Sequence, residues 1–278
     1  MNYFLKARLV AMTTVSAIAI GVNGAIANDK PIAFEIDAFV GRSTALSQNN
    51  SPLVWFDGGS QTALSVLARP AGTNFNFGLF YQKSEADGIA ITSEAPGYNA
   101  GSVKRYFDRG SYESKELGFS VGRDYEIGAA TSTRLSLGYR RIESMVSNEV
   151  GYNKYDSAGD LETTDLFTVS NQQLDGNVLT LGAEVDSQIS DRLELYVGAE
   201  IGSGSGDWSI TSYSGNSSGK TGIDTLDFKA GLGYRLGQKS KVELGIRKST
   251  RKFSDVVVGN GVNRLDDTSV TLGLNVNF

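Results

Sequence analysis

The sequence predicts an all-β protein, an antiparallel up-and-down transmembrane β-barrel of about ten strands. Segments of about ten residues alternate apolar and polar side chains along the chain. The connections between them alternate between short and long. The glycines inside these segments fall almost wholly on the polar face, among them Gly78, Gly118, Gly138, Gly182, Gly198, Gly231, Gly245 and Gly273. Small residues there suit a sheet that closes on itself around a narrow interior.

The first 27 residues read as an export signal. Lys6 and Arg8 supply a positive start, Leu9 to Val22 a short apolar stretch, and Ala25-Ile26-Ala27 the small residues a signal peptidase needs. Cleavage is expected after Ala27, leaving 28–278 as one barrel domain. The apolar stretch is shorter than the roughly 20 residues a spanning helix requires.

Ten strands follow, near 31–42, 61–69, 73–83, 114–125, 132–143, 176–187, 192–203, 224–236, 241–252 and 267–278. The eighth shows the pattern most clearly. Leu226, Phe228, Ala230, Leu232, Tyr234 and Leu236 share one face, and Asp227, Lys229, Gly231, Gly233 and Arg235 the other. The last sets Val270, Leu272, Leu274, Val276 and Phe278 against Ser269, Thr271, Gly273, Asn275 and Asn277. The second is the weakest, carried by Leu64, Val66 and Ala68. Eight or twelve strands are the alternatives, because residues 53–56 and 89–92 read as extra strand fragments. All four prolines (Pro31, Pro52, Pro70, Pro96) fall at strand starts, turns or loops, so none breaks a ladder.

Short turns are expected at 69–73, 126–131, 188–192 and 237–241. Long polar loops are expected near 43–60, 84–113, 144–175, 204–223 and 253–266. This is the asymmetry of an outer-membrane barrel, with short turns in the periplasm. Aromatics near the strand ends complete two girdles: Phe34, Phe75, Tyr125, Tyr234 and Phe278 at one rim, and Tyr81, Tyr139 and Phe228 at the other. Mean hydropathy is −0.19, which suits a barrel whose membrane signal lies in alternation.

Composition narrows the function. A net charge of −5 disfavours nucleic acid as a partner, and the absence of cysteine excludes disulfides and thiolate metal sites. No cofactor or metal site is expected.

The leader, the hairpin array and the terminal Val270-Thr271-Leu272-Gly273-Leu274-Asn275-Val276-Asn277-Phe278 resemble the small outer-membrane β-barrel superfamily, porin-like and similar to the OmpA transmembrane domain. The resemblance covers the chain beyond the leader and singles out no member. It implies a bacterial outer membrane as location, and a last strand ending in Phe278 that is read by the barrel-assembly machinery. Enzymes of this class, including lipid A acyltransferases and deacylases, phospholipases and the ten-stranded omptin proteases, use a histidine, and this chain has none. A serine here lacks its usual base, so the chain is expected not to be an enzyme.

Parity assigns the charges. Glu35, Asp37, Glu116, Glu184, Asp186, Glu194, Glu200, Asp227 and Glu243 point inward, with Arg134, Arg140, Lys229, Arg235 and Arg247. Paired, they form a plug; left open, nine acids against five bases favour cations. Ten strands leave an interior only modestly wider than the filled eight-stranded case, which favours the plug. Lys83, Lys115, Arg141 and Lys248 share the outward parity near the strand tops, with Lys252 continuing the row. They are expected to contact outer-membrane lipid and the phosphates of lipopolysaccharide.

The long loops are expected to meet an extracellular ligand. Trp55 and Trp208 are placed there, as is a Gly/Ser-rich stretch at 204–222 with Trp208 and Tyr213. An acidic stretch at 143–165 carries Glu143, Glu149, Asp156, Asp160, Glu162 and Asp165, without the spacing of a calcium loop. The expected function is a non-enzymatic surface protein of structural or adhesin type. A narrow passive channel is the alternative and a barrel hydrolase a distant third.

Overall fold

The computed structural model describes residues 32–48, 54–96, 103–212, 215–254 and 263–278. The expected signal segment 1–27, Pro31, Pro52 and Tyr213 lie outside them. Among the described residues there are ten strands: β1 (Ile32–Gln48), β2 (Val54–Pro70), β3 (Phe75–Pro96), β4 (Val103–Glu126), β5 (Thr131–Tyr155), β6 (Leu161–Gln188), β7 (Leu193–Ser212), β8 (Gly215–Arg235), β9 (Ser240–Phe253) and β10 (Arg264–Asn277). Each pairs antiparallel with its chain neighbours, and β1 pairs with β10 to close the barrel. The backbone N–H groups of Phe34 and Phe278 donate to each other's carbonyls at 3.4 and 2.8 Å, extending that seam to its end.

The lower ends of the strands meet through tight turns at 71–74, 127–130, 189–192 and 236–239, where the sequence placed them. Above the turns the outer wall is an apolar belt. Leu79, Leu137 and Leu179 are 62, 66 and 69% exposed, with Phe77, Phe119, Leu195, Leu232, Leu244 and Leu272 around the same ring. Apolar side chains left this exposed on β3 to β10 are in place for lipid, which accepts them without the hydration penalty of water. All inter-strand hydrogen bonds are made within the closed ring, the condition for crossing hydrocarbon.

The strands continue well past the belt. β4, β5 and β6 contain 24, 25 and 28 residues, against the roughly 9–11 that a membrane crossing needs. Most of 43–60, 84–113, 144–175 and 204–223, expected as loops, is therefore ladder. Of the two expected fragments, residues 54–56 belong to β2 and 89–92 to β3. The acidic stretch 143–165 is the top of the β5–β6 hairpin, and 204–222 is the top of β7 and β8. Both tryptophans lie in strands, Trp55 in β2 and Trp208 in β7.

The reason is a phase inversion. In the belt the outward side chains are apolar and the inward ones polar. Above it Glu85, Glu113, Glu143, Asp175 and Asp207 face outward to water, while Ala86, Tyr112, Ile142, Leu174 and Trp208 are buried inside. The period stays two; only the medium outside has changed.

The wall is uneven. The β6–β7 ladder runs up only to Ser170 and Ser212, so Leu161–Val169 pairs with β5 alone. The β2–β3 ladder ends at Ser60 and Glu85, although β2 continues up to Val54 and β3 to Pro96.

Candidate functional site

The lumen is the most elaborate chemical feature of the barrel. Its floor, near the turns, is a ladder of ion pairs. Arg69 Nη2 sits 2.6 Å from Glu35 Oε2, while its Nε donates to Asp124 Oδ2 at 3.0 Å. Arg134 Nε donates to Asp124 Oδ1 at 2.9 Å, as does Asn76 Nδ2 at 3.0 Å. Asn275 Nδ2 donates to Glu35 Oε1 at 2.7 Å and also to Asp37. Beside them Glu194 takes Arg235 and Lys241, and Lys241 reaches Glu243 at 2.9 Å.

The middle is roomier. Lys229 Nζ lies 2.7 Å from Glu184, and the Arg247 guanidinium stacks 3.4 Å above the centre of the Phe39 ring. Tyr196 lies over Gly231 and Gly245, whose missing side chains leave space for its hydroxyl. A cavity of about 1060 Å³ fills this level, lined by Asp37, Asp186 and Arg247 among others. Its lining extends down to Asn74, Gly237 and Gln238 of the turns.

The roof closes twice. First comes an ion cluster: Arg140 contacts Asp227 at 2.7 Å, Glu116 at 3.2 Å and Glu200, and Arg251 donates to Glu116 at 3.0 Å and Asp227 at 2.8 Å. Gln61 bridges Ser84, Asp267 and Ser269 beside it. Above these lies an apolar core of Ala86, Tyr112, Ile142, Val146, Leu174, Val178, Trp208, Ile210, Ile223, Phe253 and Leu265. Ile142, Val178 and Ile223 are at most 1% exposed. Buried ions tolerate such a setting only when paired, and each member of the Glu116–Arg140–Asp227–Arg251 cluster is.

All fourteen lumen charges read from parity face the interior, and the structure joins most of them into these networks. The reading omitted Arg69, Asp124, Lys241, Arg251 and Asp267. Each lies within an expected strand and shares its inward parity, so applying the same alternation to every charge of those strands finds them. Their inclusion narrows the acidic excess among the named interior groups from four to three.

On the outer wall Lys83, Lys115 and Arg141 stand on adjacent strands β3, β4 and β5 just above the belt. Lys83 contacts Glu85 at 2.7 Å and Glu113 at 3.6 Å, Lys115 contacts Glu113 at 2.8 Å, and Arg141 contacts Asp175 at 2.6 Å and Glu143 at 3.1 Å. They form one row of alternating charge. Lys248 is on β9, on the opposite side of the ring from β4, and does not join it.

No protein-family model matches the sequence, and neither does any curated protein. The structure is similar to the outer membrane protease OmpT from Escherichia coli, with a TM-score of 0.57 at 9% identity, covering 91% of this chain and 99% of that one. It also matches the transport unit of the Escherichia coli autotransporter AIDA-I (TM-score 0.41, 12% identity, 96% and 98% covered). A third match is a major outer membrane protein from Thermus thermophilus (TM-score 0.40, 14% identity, 90% and 100% covered). Identities this low speak to fold alone. In fold, the chain is a closed antiparallel β-barrel similar to that of OmpT.

Proposed function

We propose that the protein is a non-enzymatic surface protein of a bacterial outer membrane, structural or adhesin-like, that meets its partner with the wall and loops above the belt. The observation that carries this reading is the closed roof. An ion cluster and then an apolar core stand between the cavity and the outer face, a poor path for a hydrated solute. The short turns lie in the periplasm and the tall strands outside. The absence of histidine supports a role without catalysis, since a serine has no imidazole base and carboxylates such as Glu116 and Asp227 are tied to cations.

The outward row of Lys83, Lys115 and Arg141 stands where lipid headgroups begin, which supports contact with lipopolysaccharide phosphates. Phe278, at the end of the closing seam, suits the role of assembly signal.

A second reading, a narrow passive channel for cations or small solutes, draws on the cavity, whose lining reaches the periplasmic turns. Conductance of the refolded barrel in a planar lipid bilayer separates the two. Silent membranes containing folded protein are expected. Reproducible unit steps with cation preference would put the channel first.

A further inference from the structure

We infer that the lumen cavity is a blind pocket, open at the short turns, that takes up an elongated organic polycation of the aliphatic diamine or polyamine class. The inference goes beyond the surface role and borrows from it only the placement of the turns in the periplasm.

The cavity, about 1060 Å³, is lined at one end by Asn74, Glu126 and Gln238, which are exposed beside the turns. At the other end its lining stops at Arg140, Asp227 and Ser249, and no residue of the apolar core takes part. A solute that enters from the turns has to leave the same way.

The charge of the lining is unbalanced. Among the described residues ten carboxylates and seven cations line the cavity, an excess of three acids. Arg69, Arg134, Arg140, Lys229, Arg235 and Lys241 each hold at least one carboxylate at ion-pair distance. The seventh cation, Arg247, lies on the Phe39 ring with its Nε enclosed. Three lining acids, Asp37, Glu126 and Asp186, make no ion pair among the described residues. Asp37 accepts hydrogen bonds from Ser65 at 3.2 Å and from Asn275. The cations that attract Asp186 from further off, Lys241, Lys229 and Arg134, each sit on other acids. An anion drawn to Arg247 would meet the acidic excess, whereas a cation meets carboxylates that lack a counter-ion. Low-dielectric walls focus the field of such groups on whatever cation enters.

Placement selects the kind of cation. Asp37 on β1 and Asp186 on β6 are five strands apart in the ten-strand ring and so lie on opposite walls. Glu126 and Asp186 both pair with Ser132, from either side of β5, which sets their backbones two strand spacings, roughly 10 Å, apart. One small ion cannot meet carboxylates spread in this way, and among the described residues no three acids gather as metal ligands. Ammonium groups spaced along a flexible methylene chain reach them separately and donate to each.

The test titrates the full-length barrel, refolded in detergent micelles, with spermidine and with n-butylamine, a single ammonium on a similar chain. Calorimetry is expected to show saturable binding of spermidine and at least about tenfold weaker binding of butylamine. Asp186→Asn and Asp37→Asn are each expected to weaken spermidine by a similar factor. Neither change breaks an ion pair, and the amide oxygen at position 37 still accepts from Ser65 and Asn275, so both variants are expected to refold. Asp207→Asn, which removes an exposed acid from the outer wall, is expected to leave binding unchanged. No saturable binding, equal affinity for butylamine, or the same loss in Asp207→Asn would overturn the pocket. Entry is read separately. The chain has no cysteine, so Gln238→Cys carries a single bulky maleimide at the mouth, which is expected to abolish the binding heat. Unchanged binding there would put the site elsewhere, and steady unit conductance from the same preparation would overturn the blind end.

Discussion

Arg251 on β9 and Glu116 on β4 join strands that lie diametrically opposite in the ten-strand ring, with Arg251 Nε donating to Glu116 Oε1 at 3.0 Å. Both side chains are almost fully buried, at 3 and 4% exposure. The pair is a crossbar through the barrel, held on each side by Asp227 and Arg140. Removing Arg251 leaves two buried acids, Glu116 and Asp227, to share Arg140. Arg251→Met is expected to destabilise the barrel by about 3–5 kcal/mol in urea titrations. Adding Glu116→Gln should recover part of that loss. An additive double mutant would mean that the two do not couple.

A steric prediction concerns Tyr196. Its hydroxyl occupies the space that side chains on Gly231 and Gly245 would fill, and the Ala230 carbonyl closes the same space at 2.9 Å. Gly245→Val should cost about 1–3 kcal/mol through overpacking. Tyr196→Ala in that background should restore some stability, since it removes the flexible half of the clash. Equal stability of Gly245→Val and the native barrel would show that the tyrosine moves aside freely.

The apolar roof makes a spectroscopic prediction. With Trp55 replaced by phenylalanine, the remaining indole is Trp208, which is 7% exposed. Its emission should be blue-shifted and resistant to iodide. Ile142→Ala, in the same core, should cost about 2–5 kcal/mol and raise quenching. Quenching as efficient as that of free tryptophan in the parent protein would place Trp208 at the surface after all.

The outward cations make the last prediction. Lys83, Lys115 and Arg141 act as one row, and Lys248 stands apart from it. Replacing the three with glutamine should lower the lipopolysaccharide that co-purifies with the barrel, more so at low salt. Lys248→Gln alone should leave it unchanged. Undiminished retention in the triple variant would remove the row from lipid recognition.

The belt was legible in the sequence because lipid outside and charge inside give alternate residues opposite chemistry. Leu226 to Leu236 against Asp227 to Arg235 needs no other information. The upper wall was misread for a reason equally physical. Past Lys115 or Arg141 the outer medium becomes water, and the interior can be filled by Ile142, Trp208 or Phe253 instead of ions. A reader tracking one apolar face sees it vanish and writes a loop. Following the period without fixing which face is apolar would have carried β5 and β6 onward to Tyr155 and Leu161. The partners inside the lumen stayed out of reach for another reason: parity says that Arg251 and Glu116 both face inward, but only the closed ring sets them opposite each other.

The seam between β1 and β10 has a consequence in time. Glu35 and Asn275, bonded across it, are 240 residues apart in the chain. Nearly every other rung joins chain neighbours and can form as a hairpin, whereas this one must wait for β10. Until then the sheet is an open ribbon whose first strand has one bare edge in a medium that offers no hydrogen bonds. Nine strands are thus worth little to the membrane without the tenth, and closure itself inspects whether the whole ring has arrived.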